Sequence, residues 1–92
     1  MDNFKGHQMV IVTENSHNIS NKFVIDTTEF KLYNVKTNGD KVEKYKLKAE
    51  FMYDEKNKKM HIIKYGSIPK KIINSALNII EDKFRKVYKA NE

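Results

Sequence analysis

The sequence predicts an α+β domain: an antiparallel β-meander of four to five strands with one C-terminal amphipathic helix packed on one sheet face. Three observations carry this. Tyr45, Leu47, Ala49, Phe51 and Tyr53 recur at every second position, the spacing of a strand with one buried face. Asn38-Gly39 is the strongest short hairpin signal in the chain, and alternating segments flank it. Beyond Pro69, the single proline, the apolar period changes from two to helical.

The elements follow in order. Gln8 to Thr13 predicts a first short strand, and the Asn and Ser residues of ENSHNISN, Glu14 to Asn21, predict a turn because their side chains bond local backbone. Lys22 to Asp26 is a second strand, Asp26 to Thr28 a turn or bulge, and Glu29 to Lys36 a third strand. A two-residue turn at Asn38-Gly39 would pair Thr37 with Asp40. In that register Tyr33 faces Lys44, Lys31 faces Lys46 and Phe30 faces Leu47, so Phe30 and Leu32 share a face with Tyr45 and Leu47. The fourth strand is Val42 to Asp54. A second hairpin across DEKNKK, Asp54 to Lys59, leads into Met60 to Tyr65, where either Met60 and Ile62 or His61, Ile63 and Tyr65 face the core. Gly66-Ser67 ends the sheet. From Pro69, Ile72, Ile73, Ala76, Leu77, Ile80, Phe84, Val87 and Tyr88 fall within one half of a helical wheel. Pro69 suits the first turn, with Ser67 or Ile68 as cap, and Lys83, Arg85, Lys86 and Lys89 complement the negative end of the helix dipole.

Size and composition bound the rest. The 92 residues make one domain, 1–92, with a sheet over about 8–65 and a helix over about 69–89. A chain of this size buries roughly two thirds of its unfolded surface. Charged residues are 33% of the chain and hydrophobic ones 39%, but the apolar residues are periodic, which marks a folded chain. There is no cysteine, so neither a disulfide framework nor a thiolate metal site is expected, and the compartment expected is the cytoplasm. The apolar run Met9 to Val12 is too short for a signal-peptide core or a membrane span.

Catalytic chemistry finds no constellation. His7, His17 and His61 have no metal-ligand spacing, and no partner is identifiable that would make one a general base. Glu81 and Asp82 point about 100° apart on a helix and suit ion pairs with Arg85 and Lys86 better than a shared cation. Asp54 and Glu55 lie in a loop, and no glycine-rich phosphate loop exists. The expectation is therefore a protein that is not an enzyme and needs neither cofactor nor metal.

Charge points instead to binding. The net charge is +6, and seventeen of the 18 basic residues are lysine, with Arg85 the sole arginine. Lysine meets phosphate as a point charge and lacks the planar fork that reads guanine, so contacts to nucleic acid should be to backbone and weakly selective. In the expected register the sheet face opposite the helix carries Lys31, Tyr33, Lys44, Lys46 and Lys48, an aromatic among cations of the kind that stacks a base and tracks a strand. The competing reading is that these lysines guard solvent-facing strands against aggregation. Nucleic acid is the first partner expected, and an acidic protein surface the second. The alternative function is a protein inhibitor or adaptor of mobile-element type, docking on a host nucleic-acid-handling protein.

Overall fold

The computed structural model describes residues 5–16, 19–38 and 41–86. Five antiparallel strands, β1 (Met9–Ser16), β2 (Ile19–Asp26), β3 (Lys31–Asn38), β4 (Lys41–Asp54) and β5 (Lys59–Lys64), form one sheet in the order of the chain, followed by α1 (Lys70–Phe84). This is the expected meander with a C-terminal helix. The segment expected as a turn, Glu14 to Asn21, is mostly strand, because Asn15 pairs with Ser20 and Ser16 with Ile19. His17 lies outside the described residues, as do Val87, Tyr88 and Lys89, and α1 ends at Phe84 with Arg85 as its C-terminal cap. Pro69 is itself the cap residue, with extended ψ of 139° and no side-chain bond to the helix.

The core explains why the helix lies where it does. Val10, Ile25, Leu32 and Ala49 are direct cross-strand neighbours in one row, and such neighbours project to the same face. Val12 and Phe23 begin the next row, and Phe51 with Ile62 lies beyond. Ile72, Ala76 and Ile80 are buried against these residues at helical spacing. The alternative that turns Met60 and Ile62 inward is the one adopted, since both pack on the core while His61 and Ile63 are exposed. At the helix C-terminus Phe84 stacks on Tyr53 with centroids 4.2 Å apart and meets Phe30 at 6.5 Å.

The turn between β2 and β3 spans residues 27–30 and is held by a buried acid. Asp26 Oδ1 accepts the backbone N–H of Thr28 at 2.9 Å and of Glu29 at 3.0 Å. His7 Nδ1 lies 2.6 Å from Asp26 Oδ2, so the ring carries its proton there, since a carboxylate can only accept. Phe30, expected within a strand, instead takes a left-handed conformation with φ of 59°. That conformation is costly for a residue with a Cβ, and packing of the ring on the core and Phe84 offsets the cost.

Candidate nucleic-acid interface

The register between β3 and β4 decides which lysines lie together. Asn38 pairs with Lys41, not Thr37 with Asp40, so residues 39 and 40 lie between the strands, and Gly39 falls outside the described residues. Two irregularities follow. Lys36 pairs with Lys44 and Thr37 with Val42, which leaves Glu43 as an extra residue on β4. Leu32 pairs with Ala49 and Tyr33 with Leu47, which leaves Lys48 as a second. An extra residue of this kind is a β-bulge, and it reverses the inward and outward alternation on the strand that carries it.

The consequence overturns the expected face assignment. Ala49, Phe51 and Tyr53 lie on the helix side, but Tyr45 and Leu47 lie on the outer side, with Tyr33 and Val35 as their direct neighbours. The Tyr33 and Tyr45 rings meet edge to face at 6.3 Å, as residues on one face must. Phe30 and Leu32 therefore do not share a face with Tyr45 and Leu47. The physical reason is like pairing with like: Tyr33 meets Leu47 and Val35 meets Tyr45, while Asn34 meets Lys46 and Lys36 meets Lys44.

The five residues expected to form one basic face are accordingly divided. Lys31 and Tyr33 stand on the outer side, where Lys31 Nζ is 3.9 Å from Glu50 Oε1. Burial, and then the carboxylates of Asp26, Glu29 and Glu50, push the Tyr33 phenol above the usual tyrosine range. Lys44 and Lys46 stand on the helix side and are exposed, with Lys36 and Asn34 across from them. Lys48 is the bulge residue; its carbonyl accepts the Tyr65 N–H at 2.8 Å, and a Cβ built on Gly66 would lie 3.0 Å from its Nζ. Gly66 has φ of 124°, a conformation suited to glycine where the chain leaves β5.

This gives a basic ledge beside the helix. Lys64 pairs with Ala49 and so also faces the helix side, and α1 begins with Lys70 and Lys71 with no acid in its first turn. Cations at the positive end of a helix dipole are unfavourable, as are Lys36 and Lys44 placed directly opposite each other. A cluster of cations of this kind can attract a polyanion.

Two other clusters were not legible as such in the sequence. Around Asp54, Asn57 Nδ2 donates to Oδ2 at 2.6 Å and His61 Nε2 lies 3.2 Å away, and these bonds, Asn57 first, hold the carboxyl below its usual range. His7 and Asp26 resemble the orienting half of a catalytic dyad, but Asp26 is committed to the turn it holds. Among the described residues no group of three or more His, Cys, Asp or Glu side chains could hold a metal ion. An open cleft of about 190 Å³ is lined by Tyr53, Lys58, Met60, Glu81, Phe84 and Arg85. Lys86 pairs with Asp82 at 3.1 Å, the helical spacing expected. No helix among the described residues is long and apolar enough to cross a membrane. No protein-family model matches the chain, and no curated protein or solved structure is significantly similar to it.

Proposed function

We propose that this chain is a non-enzymatic binding protein that holds the backbone of nucleic acid on the helix-side ledge of Lys36, Lys44, Lys46 and Lys48, with little sequence specificity. The observation that carries the reading is the bulge at Lys48, which brings Lys44 and Lys46 to the side where Lys36 already projects. Lys36, Lys44 and Lys46 face solvent there, Lys48 is half-buried, and the cations are tolerated despite mutual repulsion. Lys31 and Tyr33 are not part of this interface, since they belong to the other face and Lys31 is neighboured by Glu50. Such a role suits a cytoplasmic protein and requires no cofactor.

The test is an anisotropy titration of labelled single- and double-stranded oligonucleotides at two salt concentrations. Four phosphate contacts should cost roughly a hundredfold in affinity for duplex between 50 and 200 mM salt, because each contact releases counterions. Changing all four ledge lysines to Gln should abolish most of that salt dependence, whereas Lys31→Gln should leave it nearly unchanged. Absence of binding by the wild type at low salt would overturn the proposal. An acidic protein surface, approached by an inhibitor or adaptor of mobile-element type, would then be the better reading of the charge.

A further inference from the structure

The outer face of the sheet is unlike the helix side in both polarity and charge. Ile11, Val24, Tyr33 and Leu47 are direct neighbours in a row crossing four strands, and Val35 and Tyr45 continue it in the next row. Ile11 is 64% exposed, Met52 57%, Tyr65 46% and Ile63 40%. All four lie on this face, since Met52 pairs with His61 and Ile63 with Glu50. Antiparallel sheets with one packed face usually show water a polar one. Here the face carries apolar residues from β1 to β5.

Its charges are neutralised internally. Glu50 lies near Lys31 and accepts the Tyr65 hydroxyl at 2.5 Å, and Asp54 is engaged by Asn57 and His61. Lys22 and Lys59 are the remaining exposed cations on that side among the side chains described, and Lys59 lies directly across from Asp54. The lysines that give the chain its net charge of +6 are concentrated elsewhere, on the helix side and the helix itself.

We propose that this outer face is the interface of a two-fold symmetric dimer of the chain, in which two sheets stack face to face. A second copy is the occupant that the charge distribution fits. Two molecules of net charge +6 can approach closely only through a face that carries almost no net charge, and stacking by this face turns both basic ledges outward. The area also suffices. The molecule measures 45 by 29 by 19 Å, so its broad face exceeds the about 800 Å² per partner of a standard interface even when partly covered. Sheets stacked at about 10 Å interdigitate their facing side chains, which would cover Ile11, Met52, Ile63 and Tyr65 together. The dimer does not depend on the nucleic-acid reading, because it uses the opposite side of the sheet.

Sedimentation equilibrium over a concentration series tests it. The wild type should reach the dimer mass, and Ile11→Glu and Ile63→Glu, at opposite borders of the face, should each weaken association about tenfold or more by placing an unpaired charge at the interface. Both side chains are exposed in the monomer, so far-ultraviolet circular dichroism should show the fold retained. Lys46→Glu, on the other side of the sheet, should leave the dimer intact. A monomer mass at every concentration, or a dimer indifferent to both outer-face charges, would overturn the proposal; the monomer result would mean that the face serves a different protein.

Discussion

The two halves of β4 have the same alternating sequence and opposite fates. From Ala49 to Asp54 the strand pairs with β5, at Ala49 and Glu50 it pairs with β3 as well, and the helix covers Ala49 and Phe51. From Lys41 to Leu47 it pairs only with β3 among the described residues, and Tyr45 and Leu47 face away from the helix. One extra residue, Lys48, separates the two. Alternation reports which residues share a face only while the ladder is unbroken. The exposed backbone edge of the outer half also explains why lysine serves there, since Lys44 and Lys46 discourage pairing with another strand.

The comparison predicts unequal costs for the same deletion. Leu32→Ala empties a fully buried site under the helix and should destabilise by about 2–5 kcal/mol. Leu47→Ala, on the half-buried outer side, should cost less than about 2 kcal/mol, because less apolar surface returns to water. Urea denaturation at concentrations below any self-association would measure both. Equal losses would mean that the outer cluster is packed as tightly as the core.

Asp26 holds the turn between β2 and β3. Asp26→Ala should destabilise by about 1–3 kcal/mol, since the N–H groups of Thr28 and Glu29 lose their acceptor. Asp26→Asn retains an acceptor oxygen and should cost less. If the two variants melt alike, the bond to His7 and not the turn would be the main contribution of this side chain.

The smallest effect expected is at Asp54, where β4 leaves the covered half. Its carboxyl is held below the ordinary value by Asn57 and His61. A folded-state value below the unfolded one gives a contribution that is present above the unfolded value and disappears as pH falls through the folded one. Asp54→Asn should therefore lower stability slightly at neutral pH and converge on the wild type at acid pH, which flattens the limb below about pH 4. An unaltered acid limb in denaturation midpoints against pH would show that the cluster holds no linkage of this kind.

Much of the fold was legible because local patterns and global packing agree. The meander, the span of β4 and the helix after Pro69 follow from periodicity and turn chemistry, which act over a few residues. The site was less legible. Tyr33 and Val35 alternate with Asn34 and Lys36 in the opposite phase to Leu32, and this change of phase within β3 was the available signal that β4 must change phase too. His7 meeting Asp26, 19 residues away, had no signal, because nothing local brings them together.

The amino-acid sequence by itself determined the meander of four to five strands followed by a helix, the apolar stripe of α1 and the excess of lysine, each a property of short stretches of chain. Tertiary structure alone decided on which side of the sheet each lysine stands. Strand pairing is a contact between distant segments, and a single unpaired residue at Lys48 turns every side chain before it, back to the irregularity at Glu43, to the opposite face.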